Sequence, residues 1–127
     1  MRRLVPVALL ALSGIGCAST GGQRRGSYPA EAEVGLASFY GPGFYGRQTA
    51  NGEIFSRGTF TAAHRTMPFG TCLEVQVVET GKRSEVRVND RGPFVGGRVL
   101  DVAEVVAERL GFREQGVARV AFWRCAR

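Results

Sequence analysis

The sequence predicts a small, mainly β barrel with one short helix. Of its 127 residues, 44% are hydrophobic, which is enough for the core of a single domain. Short runs with strand character, separated by glycine-containing turns, extend over about 90 residues, and one helical pattern interrupts them. Many short strands with a single helix favour a closed barrel over an open sheet.

Six segments carry the strand pattern. Leu73, Val75 and Val77 show the alternation of a half-buried strand, and Thr80-Gly81-Lys82 is typical of a hairpin turn. The segment FYGRQTANGEIF (44–55) is predicted to be a loop with an Asn51-Gly52 turn. The predicted strands are GLASFYG (35–41), GTFTAAHR (58–65), TCLEVQVVE (71–79), SEVRVND (84–90), GRVLDV (97–102) and GVARVAFWRC (116–125).

A helix is predicted over residues 102–110, VAEVVAERL. Asp101 is placed to cap its N-terminus, and Glu104, three residues later, completes the pattern of a capping box. Gly111 is suited to the left-handed conformation that ends many helices. The predicted apolar face consists of Val102, Val105, Val106 and Leu110.

The N-terminus reads as an export signal. Arg2 and Arg3 precede an apolar run, 4–12, that is too short to span a bilayer comfortably. Small residues then lead to Cys17, which we expect to be lipidated after removal of residues 1–16. Residues 17–33 are rich in small polar residues and predict a flexible tether before a folded domain at 34–127. The alternative is an ordinary cleaved signal that leaves a soluble secreted protein.

Three cysteines are present, and two of them remain if Cys17 carries lipid. In an exported protein, Cys72 and Cys125 can oxidise to one disulfide. Closing that loop would contribute ~4 kcal/mol in the chain-entropy account. Two buried free thiols are the alternative.

The formal net charge is +6, and it becomes +4 when residues 1–16 are removed. In an exported protein this charge favours anionic cell-wall polymer or lipid head groups as partners, rather than nucleic acid. A role in solubility alone explains the same charge.

Five motifs occur in an order that resembles the rare lipoprotein A family of bacterial cell-wall proteins. The resemblance implies a six-stranded double-psi β-barrel similar to the first domain of expansins. It also implies a lytic transglycosylase, which cuts the MurNAc–GlcNAc bond of peptide-stripped peptidoglycan strands and leaves a 1,6-anhydroMurNAc end. The motifs are GLASFYG (35–41), GRQTANGEIF (46–55), TAAHRTMPFGT (61–71), VRVNDRGPF (86–94) and GRVLDVAEVVAERLG (97–111).

Asp90 is the first candidate for the catalytic acid. A lytic transglycosylase needs one acid with a raised pKa, because O6 of the sugar itself attacks the anomeric carbon. Asp90 follows a predicted strand and matches the family's functional aspartate. The alternative is that Asn89-Asp90 only starts a turn. A close Arg91 side chain would lower the pKa, so we expect it to point elsewhere or to contact the glycan.

Glu53 and His64 match the two other functional positions of the family. Glu53 is a second candidate for the acid, or an electrostatic partner of Asp90. His64, the single histidine, would orient or polarise a carboxylate. Without nearby cysteine or carboxylate spacing it predicts no metal site. The plainer interpretations are an exposed glutamate after a turn and a structural histidine.

Asp90 is expected on the rim of the barrel, across a groove from Glu53 and His64, and further residues are predicted to bind substrate in that groove. Rings near the first strand would stack on sugars, and Asp101 would line the groove unless it only caps the helix. Phe39 and Tyr45 stand where the family often has Trp and His. The predicted set is Tyr40, Phe44, Tyr45, Arg91 and Asp101.

Three functional classes follow from the sequence. The first is a peptidoglycan lytic transglycosylase in wall remodelling or daughter-cell separation, with no cofactor. The second is a non-catalytic, expansin-like glycan-binding lipoprotein. The third is a structural envelope lipoprotein that contacts divisome proteins. Ala18 and Ser19 lack the aspartate that often retains lipoproteins at the inner membrane, so we expect an outer-membrane anchor facing the periplasm.

Overall fold

The structure, a computed structural model, describes residues 27–126 and contains six strands, one α-helix and one short 3-10 helix. The predicted signal, Cys17 and most of the predicted tether lie outside the described residues. The elements are β1 (Glu33–Phe39), a 3-10 turn (Pro42–Phe44), β2 (Thr61–Ala63), β3 (Cys72–Val77), β4 (Arg83–Asp90), β5 (Arg98–Val102), α1 (Glu104–Leu110) and β6 (Ala118–Arg124).

The six strands form a closed barrel in the order β1-β5-β2-β4-β3-β6, with β6 also paired to β1. The β1–β5 and β2–β4 pairs are parallel, and the other pairs are antiparallel. Closure leaves no unpaired sheet edge in the barrel wall. The predicted small barrel with one helix is confirmed.

Alternating apolar residues fill the barrel. Leu73 and Val75 are fully buried and Val77 nearly so, which confirms the pattern in the third predicted strand. In β4, Val86 and Val88 point inward while Arg83 and Glu85 are exposed. Leu100, Val102, Val120 and Phe122 complete the interior from β5 and β6.

The predicted start of the helix is wrong. Asp101 does not cap α1, because β5 continues through Val102 and Asp101 is paired in the barrel wall. The residue before the helix is Ala103, which makes no side-chain cap, and the helix begins at Glu104. The predicted end is confirmed, since Gly111 is left-handed with φ 77° and its amide bonds back to the last turn.

Cys72 and Cys125 form a disulfide, with their Cα atoms 5.4 Å apart. The amide of Cys125 also donates to the carbonyl oxygen of Cys72 at 3.0 Å. The disulfide therefore ties the chain after β6 to the first residue of β3. Within residues 27–126, no helix is long and apolar enough to cross a membrane.

Leu100 tests the barrel core. Its side chain is fully buried, so Leu100→Ala is expected to lower the free energy of unfolding by about 2–5 kcal/mol through lost burial and the cavity left behind. Leu36→Ala is the matched control, because Leu36 is 41% exposed, and it should cost less than about 1 kcal/mol. Urea unfolding of both variants makes the comparison, and equal losses would contradict the assigned core.

Candidate active site

Two aspartates lie on either side of β2 in the barrel wall, one on β4 and one on β5. Ala63 pairs with Asp90 of β4 in the parallel direction and with Asp101 of β5 in the antiparallel direction. Ser38 of β1 pairs with Asp101 on the far side of β5. Asp90 and Asp101 therefore lie on the two strands that flank β2, one on each side of Ala63. Ser38 of β1 lies beside Asp101.

Three donors hold the Asp90 carboxylate. The Tyr40 hydroxyl donates to Oδ2 at 2.8 Å, and the amides of Ala50 and Arg91 each donate to Oδ1 at 2.9 Å. This arrangement uses both oxygens of Asp90 as hydrogen-bond acceptors. It also fixes the orientation of Asp90 at the end of β4.

Asp101 stands in a different environment. It is half-buried, and its Oδ1 accepts a hydrogen bond from the Ser38 hydroxyl at 2.9 Å. Burial raises the pKa of Asp101, while the Ser38 hydrogen bond and the charge of Arg98 oppose the rise. The charge of Asp90 adds to it, because a nearby negative charge disfavours ionisation. Asp101 therefore keeps a proton to higher pH than an ordinary aspartate does.

Tyr40 positions Asp90 and presents little ring surface to solvent. It is 9% exposed, and its ring lies 5.6 Å from Phe44 and 5.2 Å from Phe55. Burial, followed by the hydrogen bond to Asp90, raises the pKa of Tyr40 well above its usual range. The hydroxyl therefore stays protonated and remains a donor to Asp90.

Glu53 is held in the ionised form. The Arg87 guanidinium binds both of its oxygens, one of them at 2.8 Å, and the side-chain amides of Asn51 and Asn89 donate at 2.7 and 3.4 Å. These hydrogen bonds, led by that of Arg87, lower the pKa of Glu53 to about 2. Such a carboxylate has no proton to give at neutral pH. Its partners lie on β4 and its own turn, and the hydrogen bonds of the described residues do not join it to Asp90.

His64 is buried and bonds to its own turn. Its Nδ1 accepts hydrogen bonds from the amides of Thr66 and Met67 at 3.1 and 3.0 Å, which places the ring proton on Nε2. That nitrogen lies 3.9 Å from the Glu33 carboxylate, and the ring packs edge-on against Phe122. Burial lowers the pKa of His64. Among the described residues, no hydrogen bond or ion pair joins the His64 side chain to Asp90 or Glu53, while its backbone amide donates to the Asp90 carbonyl oxygen at 3.2 Å.

The Arg91 side chain points away from the carboxylate beside it. Its guanidinium donates to the carbonyl oxygens of His64 and Met67 at 3.3 and 2.8 Å and lies 3.9 Å from the centre of the Phe69 ring. The contact of Arg91 with the Asp90 carboxylate is made by its backbone amide. Arg91 therefore anchors the turn after β4.

The predicted aromatic residues divide between core and surface. Tyr45 stacks on Phe55 at 4.9 Å, its hydroxyl donates to Glu104, and the Arg57 guanidinium lies 4.3 Å from its ring centre. Phe44, in contrast, is 45% exposed. Phe44 is therefore more exposed than Phe39, Tyr40 and Tyr45, the other rings near the first strand.

A small pocket opens beside Asp90. Its volume is about 20 Å³, close to the space that one ordered water molecule needs. Arg47 was not identified from the sequence, because an exposed arginine in a loop has no local signature. Ser38 was missed because its partner Asp101 is 63 positions away. The pocket is lined by Tyr40, Phe44, Arg47, Gln48, Thr49, Phe55 and Asp90.

One group of potential metal ligands exists among the described residues. It consists of Cys72, Glu85 and Cys125, whose ligand atoms lie within 4.8 Å of one another. Both sulfurs are engaged in the disulfide, which offers no thiolate to a metal. The group does not include Asp90 or Asp101.

Solved structures share this fold. A Clavibacter michiganensis expansin mutant in complex with cellohexaose superposes with a TM-score of 0.61 at 17% identity, covering 75% of this chain and 50% of the expansin. The Streptomyces papain inhibitor superposes equally well, with a TM-score of 0.61 at 18% identity over 76% of this chain and 96% of the inhibitor. Proteins of unlike function thus use the same barrel, so the fold alone does not assign an activity.

Sequence relatives are closer. The chain is 54% identical over 87 residues to the "Probable endolytic peptidoglycan transglycosylase RlpA" of Synechocystis, covering 68% of this chain and 27% of that protein. It is 48% identical over 88 residues to the "Endolytic peptidoglycan transglycosylase RlpA" of Neisseria meningitidis, covering 69% and 37%. The chain thus matches about a third of the length of these relatives.

A family model extends over most of the barrel. It is described as "Lytic transglycolase" and matches residues 32–122, from just before β1 into β6. All candidate residues from Ser38 to Asp101 lie within that range. This chain therefore belongs to the lytic transglycolase family of double-psi β-barrels.

Proposed function

We propose that this chain is a lytic transglycosylase that cleaves the MurNAc–GlcNAc bonds of peptidoglycan glycan strands. The observation that carries the proposal is the pair of aspartates on either side of Ala63, which have unlike surroundings. Asp90 accepts hydrogen bonds from three donors, whereas burial raises the pKa of Asp101. Two carboxyl groups in unlike environments can divide acid and base roles between them.

In the proposed reaction, one aspartate donates a proton and the other accepts one. Asp101 gives its proton to the glycosidic oxygen of the departing GlcNAc as the bond to C1 of MurNAc breaks. O6 of the same MurNAc forms the new bond to C1, and its proton passes to the Asp90 carboxylate. The products are a GlcNAc hydroxyl and a 1,6-anhydroMurNAc end. Proton exchange with solvent restores the starting state, and no water molecule enters the product.

Other residues position the pair. Tyr40 and the amide of Ala50 hold Asp90, and the turn that contains Ala50 is fastened by the Glu53–Arg87 ion pair. We therefore assign Glu53 a positioning role in place of the acid. The site role predicted for His64 remains a prediction, and its contacts support a part in shaping the 64–67 turn.

A second candidate function is a non-catalytic glycan-binding module. It is favoured by the likeness in fold to the expansin bound to cellohexaose. Such a module would bind strands at the same surface without producing new chain ends. Product analysis separates the two functions.

Peptide-free glycan strands incubated with the full chain are expected to yield products with 1,6-anhydroMurNAc ends, identified by mass spectrometry. Asp101→Asn and Asp90→Asn should each lower the rate by about 10²–10⁴-fold, because each removes a proton-transfer group. Reducing ends would contradict the O6 attack. Strand binding without any product would favour the glycan-binding module.

The pH profile separates the acid from a positioning residue. A general acid must be protonated, so activity should fall as the pH rises through the raised pKa of Asp101. Glu53→Gln should lower the rate by loosening the Ala50 turn and leave that alkaline limb in place. The assignment of Asp101 as the acid is wrong if two results are found together. The loss of activity at alkaline pH would shift in Glu53→Gln, and the same loss would still be seen in the residual activity of Asp101→Asn.

We also propose that the chain is a lipoprotein of the cell envelope, anchored through Cys17 to the outer membrane and facing the periplasm. The apolar run 4–12, the following small residues and the polar stretch after Cys17 support the proposal. Contact with divisome proteins would follow from a role in daughter-cell separation.

Labelling with palmitate tests the anchor. The full chain is expected to incorporate the label and to fractionate with the outer membrane. Cys17→Ser should abolish both, and Cys17→Ser protein that still fractionates with the outer membrane would contradict anchoring by lipid.

A further inference from the structure

Arg47 is a cation in the pocket beside Asp90 that the proposed reaction does not use. Its side chain is exposed, and its guanidinium lies 5.3 Å from the centre of the Phe44 ring. Within residues 27–126, Arg47 forms no ion pair, whereas Arg87 and Arg113 bind glutamates. Arg47 is also the single cation among the residues that line the pocket.

The backbone fixes Arg47 relative to the aspartate. Its amide donates to the Phe44 carbonyl oxygen at 3.1 Å, and its carbonyl oxygen accepts from the Phe55 amide at 2.8 Å. The same loop continues to Ala50, whose amide donates to Asp90. An exposed arginine is therefore held on the same short segment that orients the proposed base.

An arginine in this place suits a carboxylate. The guanidinium forms paired hydrogen bonds with planar anions, and Arg47 lines the same pocket as Asp90. The substrate of the proposed reaction has one such group on each MurNAc, the lactyl carboxyl on O3. That group is a free anion when no stem peptide is attached and a neutral amide when a stem peptide is present. It lies on the same ring whose C1 bond breaks.

We infer that Arg47 binds the free lactyl carboxylate of the MurNAc ring that reacts, and thereby orients its C1 toward Asp90 and Asp101. The inference rests on the proposed function for the identity of the glycan. It assigns Arg47 as a specificity residue that distinguishes free from amide-linked lactyl groups. Phe44, which lies under the guanidinium, supports the arginine side chain.

Binding tests the inference without catalysis. The probes are a MurNAc-containing tetrasaccharide with free lactyl carboxyls and the same tetrasaccharide with these groups converted to methylamides. The full chain carries Asp90→Asn so that the probe stays intact, and calorimetry measures Kd. We expect the free form to bind about tenfold more tightly than the methylamide, the effect of one charge-assisted contact that is partly exposed. Adding Arg47→Gln should remove the difference by weakening binding of the free form alone.

Arg57→Gln is the matched control. Arg57 is also exposed and also lies over an aromatic ring, that of Tyr45, but it does not line the pocket. It should leave the tenfold difference intact. The inference would be overturned if the Kd ratio between the two tetrasaccharides were the same with Arg47 and with Arg47→Gln. It would also be overturned if Arg47→Gln weakened binding of both tetrasaccharides equally.

A kinetic experiment separates this inference from the proposed function. With Asp90 intact, Arg47→Gln should lower kcat/KM about tenfold on strands with free lactyl groups and leave it unchanged on the methylamide strands. If neither strand is cleaved by the unmodified chain, the proposed activity fails. The calorimetric comparison then still decides whether Arg47 reads the carboxylate.

Discussion

The pairing of β2 between β4 and β5 is the constraint on which the site depends. Ala63 is bonded into both neighbouring strands, and this register brings Asp90 and Asp101 together from opposite strand directions. Closure of the barrel then places β1 beside β5, so that Ser38 reaches Asp101 and Tyr40, just past the strand end, reaches Asp90. A shift of one residue in β2 would place a residue other than Ala63 opposite Asp90 and Asp101.

The pKa values of Glu53 and Asp101 shift in opposite directions because their surroundings differ. Glu53 is tied to an arginine and stays ionised, whereas Asp101 is half-buried beside another carboxylate and holds its proton more firmly. Among the described residues, the Asp90 carboxylate accepts three hydrogen bonds and forms no ion pair. Carboxyl groups thus acquire different chemistry because the barrel wall, the turn and the strand end offer different partners.

Local patterns in the sequence predicted much of the fold. Alternation identified strands such as β3, and Gly111 marked the end of α1, because both depend on neighbours close in the chain. Asp101 shows the limit, since its spacing to Glu104 imitates a capping box but long-range pairing places it in β5. The hydrogen-bond partners of Asp90 and Asp101 cannot be predicted from nearby sequence either. The Tyr40–Asp90 hydrogen bond joins residues 50 positions apart, and the Ser38–Asp101 bond joins residues 63 apart.

Burial raises the pKa of Asp101, and the negative charge of Asp90 adds to the rise. Titration of the side-chain carboxyl carbons by NMR, in the otherwise unmodified chain and in Asp90→Asn, separates these two causes. The pKa of Asp101 is expected to lie above its usual value of 3.8 and to fall when Asp90 is neutralised, and this result would support the assignment of Asp101 as the acid. A pKa of Asp101 at or below 3.8, or one that Asp90→Asn leaves unchanged, would contradict it.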